Sequence, residues 1–184
     1  MEILNLIKER RSIRKYKPIQ VTDEQLNQVL ESARWAPSWA NTQCVKFIVI
    51  KDPSMKEKLQ NTLTPRNPSR EAMIQAPIVI VACAEINKAG YKEGKPTTDK
   101  NEWFMFDTAL ALQNLTLTAH SLGLGTVHIG AFDAKMAGSL LEIPEGIAVV
   151  ELIPLGHPDI TPTPPPRKEL KEIVFNEKYG KQNP

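Results

Sequence analysis

The stretch from residue 102 to residue 122 constrains this chain more than any other. Trp103, Phe104, Phe106, Ala109, Leu110, Leu112, Leu115, Leu117, Ala119 and Leu122 recur at helical spacing, yet they circle the axis instead of lining one stripe. A helix that is apolar almost all round must be covered on most faces, by a core or by a second subunit. Gly123 supplies the residue type that commonly ends such a helix. Asp107 stands out inside it. A carboxylate held away from water needs partners, so Asp107 is expected to satisfy a backbone or basic group, with catalysis the lesser reading.

The remaining elements must surround this helix. Residues 2–9 read as a short helix with Ile3, Leu6 and Ile7 on one face. Thr22-Asp23-Glu24-Gln25 is a capping box, and Leu26, Val29, Leu30 and Ala33 follow at helical spacing until Pro37. Val45–Ile50 is a strand by its β-branched and aromatic content. Asp52-Pro53 pairs an N-cap with a proline at the first helical position, opening a helix to about Leu63. Residues 64–70 read as a loop, and Pro77–Cys83, apolar almost throughout, as a central strand. Residues 86–101 carry Gly, Lys and Pro and are expected to be an exposed, mobile loop. Leu124–Ile129 and Ile147–Leu155 read as further strands, and Asp133 caps a helix to Leu141.

Beyond residue 157 the character changes. His157–Pro166 is rich in proline and threonine and should be extended. A short amphipathic helix, Lys168–Phe175, then offers Leu170, Ile173, Val174 and Phe175, which need a surface such as a second subunit. No internal repeat and no second domain is visible, so residues 1–184 form a single domain. The alternation of helices and strands superficially suggests a parallel doubly wound sheet. No G-x-G-x-x-G follows the first strand, which argues against a Rossmann dinucleotide site.

Several function classes are excluded at this level. The formal net charge is only +2, and the basic residues are spread out apart from the Arg10–Lys17 cluster. That suits one small anion better than the long basic track of a nucleic-acid binder. No stretch approaches the roughly 20 apolar residues of a membrane span. The apolar run at the start is too short for a signal peptide. Cys44 and Cys83 lack CxxC spacing and read as reduced thiols of a cytoplasmic protein. No metal-ligand cluster and no Ser/His/Asp or Cys/His constellation is evident.

Two segments carry the chemistry. Arg10-Arg11-Ser12-Ile13-Arg14 places three guanidinium forks and a hydroxyl together, which is what a phosphate dianion requires. Pro37-Ser38-Trp39-Ala40-Asn41-Thr42-Gln43 is a polar turn whose amides suit the edge of a flat heterocycle. Together they suggest a phosphorylated planar cofactor.

In this order and spacing, the two segments resemble those of the nitroreductase family of FMN-dependent oxidoreductases. Asp107–Leu115, Gly123–Asp133 and Pro166-Arg167-Lys168 match as well, so the resemblance covers nearly the whole chain. It implies an α+β three-layer sandwich, with a mixed, mostly antiparallel sheet flanked by helices. It also implies an intertwined homodimer, FMN at the subunit interface, and residues 157–184 packing on the partner. By resemblance, Arg10 and Ser12 hold phosphate or ribityl oxygens, Arg14 reaches the pyrimidine edge, and Arg11 lies beside them. Pro37, Ser38, Trp39, Asn41 and Gln43 close the site from the partner chain. His128, Ile129, Gly130 and Ala131 lie against one flavin face, and Arg167 is a C-terminal phosphate ligand. Gly123 and Gly125 read as turn punctuation. This chain departs from the pattern with Trp39-Ala40 where many relatives carry small residues, and with Cys44-Val45 where Pro-Trp is common.

The implied reaction is ping-pong, with hydride passing from NADH or NADPH to flavin N5 and then to a nitroaromatic, quinone or similar electron-poor acceptor. The isoalloxazine carries the chemistry, so no catalytic side chain is required. The rival readings are a specialised flavin reduction such as reductive dehalogenation, and a non-catalytic flavin-binding or storage protein.

Overall fold

Strand β2 (Ile78–Glu85) lies at the centre of the protein, and its sequence explains why. It is apolar at seven successive positions, all buried, so neither of its faces can tolerate water. In the computed structural model, which describes residues 2–181, β1 (Val45–Ile50) pairs with it antiparallel on one side. Strand β6 (Ile147–Gly156) pairs antiparallel on the other. The two-residue β5 (Gly125–Thr126) extends the sheet beyond β6, giving the order β1-β2-β6-β5. A parallel bridge between Ser12 and Thr126 then brings the arginine segment alongside β5. The sheet is therefore mixed and mostly antiparallel, not the parallel sheet that simple alternation suggests.

Alternate residues of β2 enter different cores. Val79, Val81 and Cys83 pack with Leu59, Met73 and Ala137, from helices α3 (Pro53–Gln60), α4 (Arg70–Gln75) and α6 (Ala134–Leu140). Ile78, Ile80 and Ala82 pack with Val29, Leu112 and Leu115, from helices α2 (Asp23–Arg34) and α5 (Phe104–Ser121). Helices thus cover both faces of the sheet, in three layers. Helix α5 is the 102–122 stretch, and Gly123 beyond it takes φ +74°, the left-handed stop expected there.

Local chemistry sets most helix starts. Thr22 and Gln25 form the reciprocal capping box of α2, with Gln25 N–H donating to Thr22 Oγ1 at 3.1 Å and Thr22 N–H to Gln25 Oε1 at 3.0 Å. The carboxylates of Asp52 and Asp133 accept from the amides of Met55 and Met136 and open α3 and α6. Helix α1 (Ile3–Glu9) buries nothing: Ile3, Leu4 and Ile7 are exposed.

Several boundaries differ from the sequence expectation. Helix α3 stops at Gln60 instead of Leu63, and α4 follows within what reads as loop and turn. The strand expected over Leu124–Ile129 shrinks to β5, followed by one bridge from Ile129 to Leu152. Residues 86–101 are not simply an exposed loop. They form a small hairpin, β3 (Tyr91–Lys92) with β4 (Lys95–Pro96), rooted by buried Ala89 and by Trp103 N–H donating to the Ala89 carbonyl at 3.0 Å. The C-terminal helix is a single turn, α7 (Leu170–Ile173), with Leu170 and Ile173 exposed.

Candidate functional site

The arginine segment is held rigidly by its apolar members. Ile13 and Tyr16 are buried in the core, and Ile13 N–H donates to the Thr126 carbonyl at 2.9 Å. The Tyr16 hydroxyl, buried and pushed well above the ordinary phenol range by that burial, donates to the carbonyls of Ile13 at 2.8 Å and Pro154 at 3.2 Å. Gly125 is more than turn punctuation. A Cβ there would meet Ile13 Cγ1 at 2.5 Å, so the glycine is what lets the arginine segment lie against β5.

On that scaffold the guanidiniums crowd together. Arg10 is half-buried, and its pKa is lowered by burial first, then by the neighbouring charges of Arg11 and Arg167. Among the described residues, no ion pair engages Arg10, Arg11, Arg14 or Arg167. Arg10, Arg11, Thr126, His120 and Thr161 line a cavity of about 90 Å³ here. Glu9 lines the same cavity without forming an ion pair with the arginines among the described residues, and the surplus of cations there suits an added anion. Arg11 itself turns back, donating from Nη1 to the carbonyls of Lys8 at 2.6 Å and Arg10 at 2.8 Å at the end of α1. Arg167 is exposed and donates to the carbonyls of Pro165 and Pro166.

Residues 128–131 lie beside this segment, joined to it by side chains that local patterns do not reveal. Arg14 donates from Nε to the Ser69 hydroxyl at 3.1 Å, and Asn67 donates from Nδ2 to the Ala131 carbonyl at 3.1 Å. Asn67 and Ser69 read as loop punctuation in the sequence, and only their flanking prolines hinted at a shaped loop. His128 is engaged at both ring nitrogens, Nδ1 with Glu151 Oε2 at 3.1 Å and Nε2 with Thr116 Oγ1 at 3.0 Å. It is a strut between α5 and β6, with no free nitrogen for proton transfer. Ile129 is buried, and its N–H and carbonyl are both taken by the bridge to Leu152, so it anchors the segment to β6. Gly130 is exposed, and nothing lies within 4 Å of the position its Cβ would take, so the backbone here is open to a flat ligand.

The second segment sits apart from the first. Trp39–Asn41 forms a 3-10 turn, with Ala40, Asn41 and Gln43 all at left-handed φ of 44°, 57° and 49°. Such conformations cost on the order of 1–3 kcal/mol each and persist only where the surroundings over-determine them. The Gln43 amide N–H donates to Ser38 Oγ at 3.0 Å, and Gln43 Nε2 to Asn41 Oδ1 at 3.2 Å. Pro37, Asn41 and Gln43 are exposed, and Ser38 is half-buried. The Trp39 ring stacks on Trp103 of the same chain, with centroids 4.8 Å apart, and Trp103 meets Phe106 edge-on at 5.5 Å.

Asp107, near the start of α5, touches this turn, whereas Arg10 and Arg11 line the cavity shared with His120, near the helix end. The two positions on α5 are about 20 Å apart along its axis. Within one chain the two segments therefore lie apart and line different cavities.

Among the described residues, no helix is long and apolar enough to cross a membrane, and no cluster of His, Cys, Asp and Glu is arranged to hold a metal ion.

The profile of the Nitroreductase family matches residues 7–157. The FMN reductase (NAD(P)H) of Bacillus subtilis is 30% identical over 197 aligned residues, covering 99% of this chain and 76% of that protein. A nitroreductase family protein from Clostridium novyi NT has a solved structure that superposes with a TM-score of 0.78 at 32% identity, covering 99% of this chain and 97% of that one. The NADPH:FMN oxidoreductase from Vibrio harveyi, solved in complex with NAD+, superposes with a TM-score of 0.80 at 27% identity, covering 98% and 79%.

Proposed function

The chain belongs to the nitroreductase family, and from that premise we propose that it is an FMN-dependent NAD(P)H oxidoreductase working as a homodimer. The observation that carries this reading is the crowd of Arg10, Arg11 and Arg167, without ion pairs among the described residues, on a segment that the 67–69 loop links to the open backbone at Gly130 through Arg14 and Ala131. That arrangement fits a phosphorylated flat ring. When bound, FMN supplies the two-electron chemistry, taking hydride from NADH or NADPH and passing it to a nitroaromatic, quinone or similar acceptor in a ping-pong cycle.

The residues of the chain bind and orient. Arg10 and Arg167 hold the phosphate, Ser12 adds a hydroxyl, and Arg11 contributes charge while its guanidinium caps α1. Arg14, steadied by Ser69, presents a cation to the ring edge where negative charge accumulates on reduction. His128, Ile129, Gly130 and Ala131 line one ring face, and Gly130 leaves room for close approach. Pro37, Ser38, Trp39, Asn41 and Gln43 close the site from the partner subunit. The separation of the half-sites supports this, as do the exposed Ile3, Leu4 and Ile7 of α1, Met105 and Phe106 of α5, and Leu170 and Ile173 of α7. On this reading residues 1–184 are one flavin-binding domain, and 157–184 pack on the partner. The free, buried thiols of Cys44 and Cys83 suit a reducing, cytoplasmic setting.

An anaerobic visible spectrum of the purified protein, before and after NADH or NADPH, tests the reading. Oxidised-flavin bands that bleach with one donor are expected. A colourless protein that neither takes up FMN nor bleaches would overturn it.

A further inference from the structure

Asp107 is only 2% exposed, and among the described residues the hydrogen-bond partners of its carboxylate all come from one short segment. Trp39 N–H donates to Oδ1 at 2.9 Å and to Oδ2 at 3.1 Å. The Thr42 hydroxyl and the Cys44 thiol each lie 3.5 Å from Oδ2. Among the described residues no basic side chain pairs with it, so the carboxylate is satisfied by the 38–44 turn alone. We propose that Asp107 is the positioning residue of the flavin cradle: acting through the Trp39 amide, it sets where Asn41 and Gln43 present their side chains. This rests on the reading that the 37–43 turn lines the flavin site.

Three observations point the same way. The hydrogen bonds from Gln43 to Ser38 and to Asn41 are internal and shape the turn, while at its β1 end the Gln43 carbonyl accepts from Lys46 Nζ at 3.3 Å and the Cys44 carbonyl from Glu85 N–H at 3.0 Å. At the start of the turn the Trp39 ring stacks on Trp103, one helical turn before Asp107, so backbone and ring of Trp39 are both referenced to α5. A cavity of about 420 Å³ lined by Ala33, Ala36, Pro37, Ser38, Gln43 and Asp107 borders the turn. A turn released from Asp107 has room to collapse into it. The Cys44 thiol, pushed up to about 11 by burial and then by the Asp107 charge, stays protonated and remains a donor. Buried and engaged by the turn, Asp107 acts in this proposal by position.

The test is Asp107→Asn in the full-length protein, with FMN and riboflavin dissociation constants measured by fluorescence titration. The variant keeps the side-chain volume but loses the charge-assisted acceptor. Both flavins should weaken by roughly tenfold, as expected for a hydrogen bond to a buried charge, with their ratio unchanged. A purely structural role would lower the melting temperature and leave flavin affinity of the folded fraction intact, which would overturn the proposal. If Asp107→Asn does not fold, Thr42→Val removes one donor to the same carboxylate, and an equal few-fold loss for both flavins is expected; unchanged affinity would count against the proposal. Asn41→Ala and Gln43→Ala separate the two possible failures. If they weaken flavin while the Asp107 variant does not, the cradle stands and Asp107 does not position it. If none of the three matters, the turn is not a flavin cradle and the proposal falls with that reading.

Discussion

Arg14 donates from Nε to the Ser69 hydroxyl at 3.1 Å, across fifty-five residues of sequence. With Asn67 reaching the Ala131 carbonyl, this makes the 67–69 loop a brace between the arginine segment and the 128–131 segment. The phosphate end and the ring end of the proposed cofactor site are thereby fixed relative to each other before any ligand arrives.

Removal of the anion-binding charges should discriminate between flavins. Arg10→Ala or Arg167→Ala is expected to weaken FMN by roughly ten- to a hundredfold, the scale of a lost charge-assisted hydrogen bond, and to leave riboflavin nearly unaffected. Fluorescence titration with both flavins measures this directly. Equal losses for the two would remove the phosphate assignment.

Two glycines should behave in opposite ways. Gly130→Val adds atoms where nothing lies within 4 Å, so the melting temperature should hold while flavin binding is lost. Gly125→Ala drives a Cβ to 2.5 Å from Ile13 Cγ1, and overpacking of that kind costs about 1–3 kcal/mol. Chemical denaturation of the flavin-free protein, set beside flavin titration, distinguishes the two. A destabilised Gly130→Val that still binds flavin normally would contradict the assignment of this backbone to the ring face.

Acid sensitivity should trace in part to His120. Burial lowers its pKa most, the Arg10 and Arg11 charges lower it further, and Glu9 opposes them. Its Nε2 is buried and finds no hydrogen-bond partner among the described residues. A histidine with a depressed folded pKa takes up its proton more readily unfolded. Its contribution is therefore intact above the ordinary histidine pKa near 6.5 and is lost as pH falls through that value. Urea midpoints at pH 7.5 and pH 5.5 should fall less in His120→Gln than in the parent protein. An equal fall would assign the acid sensitivity elsewhere.

Much of the framework is legible in local sequence because it rests on local chemistry. The capping box at Thr22, the aspartate caps at residues 52 and 133, and the glycine stop at 123 involve neighbours in the chain and appear where expected. Helix α4 and the β3–β4 hairpin escape because they are too short to show a period. The site is legible only as a set of residue types. That Arg14 meets Ser69, that His128 is clamped by Thr116 and Glu151, and that Asp107 meets Trp39 are contacts set by the tertiary fold, for which no spacing rule exists. Arg11 shows the limit most clearly: its residue type matches its neighbours, but its guanidinium points back to the end of α1.

The placement of the two proposed half-sites against opposite ends of α5, at Asp107 and at His120, has a genetic consequence. In the proposed dimer, where the turn serves the partner, a chain crippled in the arginine segment and a chain crippled in the turn should each be inactive as pure dimers. A mixed dimer of the two unites both lesions in one site and leaves the other site with an intact pair of halves. Co-expression of Arg10→Ala and Gln43→Ala chains should therefore recover up to half of the normal flavin per mixed dimer, so that two recessive defects complement each other within one assembly.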